Sequence, residues 1–225
     1  MPTLAYSPFG NGHSIYPFDE LFDNQVDAYV NGFNGVDAFL LWGGTDIHPS
    51  FYNESPHRFN QAPTFPSERD MWEWGAMKAC KAKGIPIIGV CRGAQFMCAF
   101  AGGKLIQHVS GHDRGYHPVV TSYGKTYDVT SAHHQMLDLT DTEHELIAWT
   151  PSNLSAVYYG EKNETPKHLL YQMREAKFKE PEIVYFPEFK GLAIQGHPEW
   201  ADLKEEFVQE TNRLVVEYLF NEKWK

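Results

Sequence analysis

The sequence predicts an α/β fold in which helices flank a doubly wound, mostly parallel sheet that carries a small antiparallel β extension. Short, almost wholly apolar runs at residues 36–42 and 85–90 are typical of strands buried on both faces of a parallel sheet. A helical pattern at residues 67–83 separates these two runs, as expected when strands and helices alternate. Beyond residue 118, short β-type segments follow one another, which indicates antiparallel strands.

The amino-terminal segment begins with a predicted strand at residues 3–7. Residues 19–33 are predicted to form a helix that closes near Asn34 and Gly35. The chain then enters the buried strand at residues 36–42. Because no clear strand lies between these two, we expect the edge of the sheet to be trimmed or to be completed by a partner chain.

The central segment carries stronger helix signals. Ser67 and Asp70 have the spacing of a capping box, which predicts that a helix begins there and stops before Gly84. The strand at residues 85–90 follows directly, and residues 92–100 are rich in helix-forming residues. Strand and helix are therefore joined by a single residue.

The carboxyl-terminal half is predicted to hold mostly antiparallel strands. A hairpin is expected over residues 118–129, with its turn near Tyr123 and Gly124. The long charged segment 160–181 has room for a short helix at residues 168–177, and an amphipathic helix at residues 202–220 closes the chain. Further strands are predicted at residues 145–150, 154–159, 183–186 and 192–195.

Composition narrows the classes of function. The 225 residues suit a single domain spanning 1–225, and the net charge of −10 disfavours nucleic acid or an anionic membrane as a partner. Three cysteines are too few and too odd in number for a disulfide framework, so we expect a reducing compartment and a cytoplasmic location. No secretory signal is visible, and no apolar stretch approaches the ~20 residues that span a bilayer.

Cys91 stands at the single residue between the buried strand and the helix. A sharp turn there lifts the side chain off the sheet, as the nucleophile elbow does for serine in other hydrolases. The partial positive charge of the helix start favours a reactive thiolate, and Gly93 leaves room for close backbone approach. A free cysteine is more often an inert core residue, but strand, turn and glycine together favour a nucleophile.

A base for this cysteine is offered by His197, which ends another apolar strand. Pro198 removes a backbone donor and halts the ladder, so the histidine lies at the end of the strand. Glu199 is close enough in sequence to orient the imidazole. The carboxyl ends of parallel strands share one edge, so Cys91 and His197 are expected to meet there.

Together, residues 91–95 and 197–199 resemble the class I glutamine amidotransferase superfamily. Finer motifs resemble its γ-glutamyl hydrolase branch, which includes γ-glutamyl-GABA hydrolase-like proteins. The matching segments run from about residue 36 to residue 200 in the order of the family. They comprise residues 42–49 with Tyr52, Arg69 with Asp70, residues 102–105, residues 131–135 and residues 197–200.

This resemblance implies a flavodoxin-like amidotransferase fold with a Cys-His-Glu triad of Cys91, His197 and Glu199. It also implies an oxyanion hole formed by the backbone N–H groups of Gly44 and Arg92. Gln95 would contact the glutamyl head group, and the segment from Ser131 would contact the α-carboxylate of the substrate. The implied substrate-binding residues are Gly43, Gln95, Ser131, Ala132, His133 and His134.

The histidines also suggest a metal site, since His108, His112 and His117 are spaced four and five residues apart and His133 and His134 follow. The first three cross a glycine-rich loop, so helical spacing is not secured, and only Asp113 nearby could complete a tetrahedron. We therefore expect no metal and no cofactor, and we interpret this loop as lying on the substrate side.

These observations predict a cysteine hydrolase that cleaves a γ-glutamyl amide bond through a γ-glutamyl thioester. Its partner would be a small-molecule γ-glutamyl substrate or glutamine, and the chain could form a homodimer. The alternative is a glutaminase subunit that delivers ammonia to a separate synthetase partner. A third reading, a non-catalytic scaffold, is disfavoured by the intact triad. The leaving amine is not identified by the sequence.

Overall fold

A computed structural model describes residues 2–10, 14–113 and 115–220. The strands in chain order are β1 Thr3–Tyr6, β2 Asn24–Asp27, β3 Ala38–Leu41, β4 Ile87–Val90, β5 Lys104–Ile106, β6 His108–Val109, β7 Tyr116–Thr121, β8 Thr126–Thr130, β9 Met136–Asp138, β10 Glu145–Trp149, β11 Tyr158–Tyr159, β12 Pro181–Phe186 and β13 Gly191–Ile194. The α-helices are α1 Ala28–Asn31, α2 Glu68–Lys83, α3 Arg92–Phe100, α4 Lys167–Arg174 and α5 Glu206–Val215, the last continued by a π-helical turn over Val216–Phe220.

Nine of these strands form the central sheet, in the order β2-β1-β3-β4-β13-β12-β10-β7-β8. Pairing is parallel from β2 to β13 and antiparallel from β13 to β8. Successive residues of β3 alternate between two cores. Leu40 packs with Phe207 and Leu214 of α5 on one face, whereas Phe39 and Leu41 pack with residues of α2 and α3 on the other. The predicted α/β fold class, with its antiparallel extension, is therefore confirmed.

The amino-terminal prediction is wrong in two respects. Residues 19–33 do not form one helix: Phe18–Glu20 is a 3₁₀ turn, and strand β2 follows it. Strand β2 pairs in parallel with β1, so the second strand exists and a partner chain is not needed to supply it. The strand lies at the edge of the sheet, half-buried to exposed, and its polar sequence lacks the apolar pattern of a buried strand.

Most other elements lie where they are predicted. The capping box of Ser67 and Asp70 opens α2, and Gly84 closes it in the left-handed region with φ of 69°. The hairpin is β7 and β8, and the short helix in the charged segment is α4. The strand predicted at residues 154–159 shrinks to Tyr158–Tyr159. None of the described helices is long and apolar enough to cross a membrane.

Candidate active site

Cys91 occupies the turn between β4 and α3 with φ of 50° and ψ of −105°. A non-glycine residue rarely adopts this conformation, which costs about 1–3 kcal/mol and persists only where the surroundings impose it. Here the Cys91 N–H donates to the carbonyl of Ile194 at 2.8 Å, and its own carbonyl accepts from the Gln95 N–H at 3.0 Å. The residue is 7% exposed. The structure thus contains the sharp strand-to-helix turn that the sequence predicts.

Two glycines allow helix α3 to approach the sheet closely enough for backbone atoms to make contact. A Cβ on Gly93 would lie 2.4 Å from the carbonyl oxygen of Leu41 at the end of β3. A Cβ on Gly89 would lie 2.7 Å from the carbonyl carbon of Gly93. Both contacts are too short for any side chain, so α3 can start over the end of β3 only because both residues are glycine.

His197 follows β13 and is anchored through its backbone. Its N–H donates to the carbonyl oxygen of Thr130 at 3.2 Å and lies 3.1 Å from the Thr130 hydroxyl. Its Nδ1 lies 2.7 Å from a carboxylate oxygen of Glu199, and its ring stacks on Trp200 at 3.8 Å between centroids. The imidazole is therefore held on one edge by the carboxylate and on one face by the indole.

The surroundings of His197 favour its protonated form. Burial alone lowers the pKa of this imidazole, but its hydrogen bonds to Cys91 and Glu199 and their negative charge outweigh burial and raise it to about 10. The imidazolium therefore lies beside Cys91 and Glu199 with a proton that it can donate. A protonated histidine beside a cysteine is an arrangement that activates the sulfur for attack on a carbonyl carbon.

Gly43 lies against both of these side chains. A Cβ at this position would lie 3.1 Å from Cε1 of His197 and 3.4 Å from Cβ of Cys91. Gly44 follows with φ of 140°, a backbone conformation that residues with a side chain rarely adopt. A Cβ at Gly44 would lie 2.6 Å from a terminal nitrogen of Arg69. The two glycines thus bring the main chain after β3 close to the turn that carries Cys91.

Arg69 fixes the main chain at Trp42 and Gly43 through two hydrogen bonds. One of its terminal nitrogens donates to the carbonyl of Gly43 at 3.0 Å, and the other donates to the carbonyl of Trp42 at 2.6 Å. Both carbonyl oxygens therefore point toward the guanidinium. This orientation fixes the peptide plane that carries the N–H group of Gly44.

A buried ion network supports Arg69. Its Nε lies 3.0 Å from Glu73, and the other carboxylate oxygen of Glu73 pairs with the guanidinium of Arg92. Asp70 pairs with Arg92 as well, and Ser7 donates to Glu73 at 2.6 Å. The sequence analysis missed Glu73, although its position one helical turn after Arg69 is a recognisable i,i+4 signal.

Only some of the residues implied to bind substrate line a cavity. Ser131 donates through its hydroxyl to the carbonyl of His112 at 2.6 Å, and Nε2 of Gln95 donates to the carbonyl of Gln135 at 3.2 Å. Ala132 is exposed, and His134 is half-buried with Nε2 3.1 Å from Asp46. A cavity of about 330 Å³ is lined by Phe59, Gln61, His108, Asp113, Ala132, His133 and His134.

His133 lines this cavity and also belongs to a second, buried group of side chains. Its imidazole lies with His112, His117 and Glu182, and one ligand atom from each of the four lies within 4.8 Å of the others. His108 is separate, with its ring 3.5 Å from that of His134. Glu182 is the fourth ligand-type group that the sequence analysis did not find, because β12 is remote in sequence from the histidines. The nearby Asp113 is not part of this group.

Residues 21–166 match the model of the peptidase C26 family. The chain belongs to the peptidase C26 family. The match includes Cys91 and the glycine pair and ends before His197. The family assignment therefore rests on the part of the chain that contains Cys91, and the positions of His197 and Glu199 come from the structure.

Individual proteins give the same picture. A Mycobacterium tuberculosis protein named "Putative glutamine amidotransferase Rv2859c" is 32% identical over 124 residues, which are 47% of this chain and 40% of that protein. The chain spans about two fifths of the length of the first curated relatives it matches. That protein is named as a glutamine amidotransferase, and the match covers less than half of either chain.

Solved structures share the fold at low identity. A glutamine amidotransferase from Thermotoga maritima has a TM-score of 0.58 at 12% identity, covering 96% of this chain and 89% of its own. A Thermoplasma acidophilum protein described as a "putative gmp synthase subunit a protein" has a TM-score of 0.60 at 15% identity, covering 98% and 94%. The likeness extends over nearly the whole chain and concerns the fold alone.

Proposed function

We propose that this peptidase C26 protein is a cysteine hydrolase that cleaves a γ-glutamyl amide bond through a γ-glutamyl thioester. The observation that carries the proposal is the arrangement around Cys91. A cysteine in a strained turn at a helix start lies beside His197, whose pKa is raised to about 10, and Glu199 holds that imidazole at 2.7 Å. A nucleophile, a proton donor and an orienting carboxylate are what thioester chemistry needs.

The reaction divides into two steps. In acylation, the Cys91 thiolate attacks the γ-carbonyl carbon, and the C–N bond breaks as the His197 imidazolium gives its proton to the leaving amine. In deacylation, neutral His197 takes a proton from water, the hydroxide attacks the thioester carbon, and the C–S bond breaks. Glutamate leaves, and the thiolate and imidazolium are restored.

Each step passes through a tetrahedral oxyanion that needs fixed donors. We assign these to the backbone N–H groups of Gly44 and Arg92. The first three N–H groups of a helix have no partner within the helix, and Arg92 is the first residue of α3. A Cβ on Gly44 would lie 4.0 Å from Cδ of Arg92, which indicates that the two residues are neighbours.

The glutamyl half of the substrate would be held beside this centre. We propose that the backbone of Ala132 and the half-buried ring of His134 receive the α-carboxylate, since both residues line the cavity. Gln95 would use its carbonyl oxygen, because its nitrogen is occupied by Gln135. Gly43 leaves the space that the substrate carbonyl requires.

The proposal is tested by incubating the purified chain with γ-glutamyl amines, γ-glutamyl peptides and glutamine and measuring free glutamate. We expect release without nucleotide, a permissive amine side and a strict glutamyl side. A site built to hydrogen-bond a group rejects analogues lacking it by up to ~10⁴-fold. Cys91→Ser should abolish release, whereas Cys98→Ser is the matched control, since this buried thiol has a raised pKa through burial and lies in the core. Full activity of Cys91→Ser would end the proposal.

The second candidate is a glutaminase subunit that hands ammonia to a synthetase on another chain. This hypothesis is supported by the similarity in fold to a protein described as a "putative gmp synthase subunit a protein". In this case the isolated chain would be inert towards the whole panel and would hydrolyse glutamine only after adding a copurifying synthetase. Measurable glutamate release by the chain alone decides for the hydrolase.

A further inference from the structure

Four buried side chains, none of them Cys91, His197 or Glu199, converge between β7, β8 and β12. They are His112 in the loop before β7, His117 in β7, His133 in the segment after β8 and Glu182 in β12, and each is at most 7% exposed. One carboxylate oxygen of Glu182 lies 3.3 Å from Nδ1 of His112, 3.5 Å from Nε2 of His117 and 3.7 Å from Nε2 of His133.

None of these facing atoms has a hydrogen-bond partner among the described residues. This holds for Nδ1 of His112, for Nε2 of both His117 and His133, and for both oxygens of Glu182. A buried carboxylate without a hydrogen bond or a cation is strongly unfavourable. A cation, or a proton donated across the gap, would stabilise this carboxylate.

The opposite ring nitrogens show which tautomers are present. Nδ1 of His117 lies 3.3 Å from the carbonyl of Pro118, and Nδ1 of His133 lies 2.9 Å from the carbonyl of Gln135. A carbonyl only accepts, so these two nitrogens carry the proton, and in the neutral rings each Nε2 turns a lone pair toward Glu182. Lone pairs that face a carboxylate repel it unless a cation lies between them.

We propose that His112, His117, His133 and Glu182 bind one Zn²⁺ ion in a closed, structural site. Ligand bonds of about 2.0–2.1 Å at tetrahedral angles place neighbouring ligand atoms roughly 3.3–3.4 Å apart. The three separations from Glu182 lie close to this value. Imidazole and carboxylate are ligands that Zn²⁺ accepts, and four protein ligands leave no position for water or substrate.

The surrounding groups complete the site. Glu180 lies 3.1 Å from Nε2 of His112, and main-chain carbonyls hold the outer nitrogens of the other two rings. Metal-bound histidines usually have such outer partners, which fix the ring and raise its basicity. A proton on Nδ1 of His112 would give Glu182 one hydrogen bond. The lone pairs of His117 and His133 would still face the carboxylate with no cation between them. One metal ion satisfies all four atoms.

The ion would join segments that are far apart in sequence. It would hold the segment after β8 onto β12, and β12 pairs with β13, the strand that leads to His197. The inference stands apart from the proposed chemistry, since Cys91 is not among the ligands. It departs from the expectation from sequence, in which no metal was predicted and only Asp113 could complete a tetrahedron; the structure brings Glu182 to the histidines instead.

The test is the metal content of the full chain purified without a histidine tag. Elemental analysis should find about one equivalent of zinc per chain. After removal by a chelator, Co²⁺ should restore one equivalent and give the strong visible absorption of a tetrahedral site. Chains that hold less than a tenth of an equivalent, and that show no Co²⁺ absorption after loading, would overturn the inference.

Variants locate the ion within the fold. Glu182→Gln and His117→Ala should weaken Zn²⁺ binding more than ~100-fold, since loss of an outer partner alone costs 10–100-fold. His144→Ala, which removes an exposed histidine elsewhere, should leave it unchanged. If a variant fails to fold, the wild-type Co²⁺ spectrum still decides. Undiminished binding in both folded variants would refute the assignment.

Discussion

Gly44→Ala is the sharpest test of how the main chain serves the proposed reaction. Gly44 has φ of 140°, and its added Cβ would lie 2.6 Å from the terminal nitrogen of Arg69 that donates to the Gly43 carbonyl. The guanidinium is held by Glu73 and cannot retreat freely. Either Arg69 releases the carbonyl or the peptide turns, and in both cases the N–H group of Gly44 changes direction.

The magnitude follows from what is lost. Removal of one oxyanion donor costs about 2.7–4 kcal/mol of transition-state stabilisation, or a factor of 10²–10³ in kcat. Forcing alanine into this backbone region costs a further 1–3 kcal/mol or so of folding stability. We therefore expect kcat to fall at least 100-fold with little change in KM, and the variant to remain folded but less stable.

Gly35→Ala is the matched control. Gly35 also has positive φ, 71°, but a Cβ there meets nothing within 4 Å. It should cost about 1–2 kcal/mol of stability through its backbone alone and leave kcat unchanged. Glutamate release gives kcat and KM, and urea unfolding gives stability. If Gly44→Ala keeps more than half of the wild-type kcat, the N–H group of Gly44 is not the oxyanion donor. An equal fall in kcat in Gly44→Ala and Gly35→Ala would refute the assignment as well.

Three further predictions concern the triad and the network beneath it. His197→Ala should lower kcat about as much as loss of the nucleophile, whereas Glu199→Gln keeps the shape and should be milder; a fully active Glu199→Gln would place the third member elsewhere. The pKa of His197 is raised to about 10 in the folded protein, so its protonation contributes fully to the free energy of unfolding below its unfolded pKa of about 6.5. This contribution should be lost as pH rises through about 10. Unfolding experiments at several pH values should show the loss in the wild type and not in His197→Ala. Glu73→Gln leaves buried Arg92 and part-buried Arg69 each short of a charged partner and should cost about 3–5 kcal/mol in urea unfolding. Lys81→Met breaks an exposed pair and should cost at most about 1 kcal/mol, so equal losses would contradict the argument.

Local signals in the sequence predict the framework of the site. The apolar run before Cys91, the helix formers after it and the close glycines are all short-range features, and the structure shows the turn they predict. The capping box at Ser67 and the glycine stop at Gly84 are equally local and are confirmed. Parallel strands bring Cys91 to His197, since both follow strands that are neighbours in the sheet.

The predictions that are wrong concern features without a local pattern. Strand β2 pairs through main-chain groups at the edge of the sheet, so its polar side chains do not reveal it. The helix predicted at residues 19–33 rested on propensity, and pairing with β1 overrides that weak preference.

The fold class and the strand-to-helix turn at Cys91 can be predicted from the sequence, because both depend on patterns of neighbouring residues. Which charged groups meet is a property of the tertiary structure. Glu73 joins two arginines beneath the glycine pair, and Glu182 reaches three histidines from a strand remote in sequence. Trp200 covers the face of His197. Burial turns these encounters into strong interactions, since a charge removed from water must find its partner within the fold.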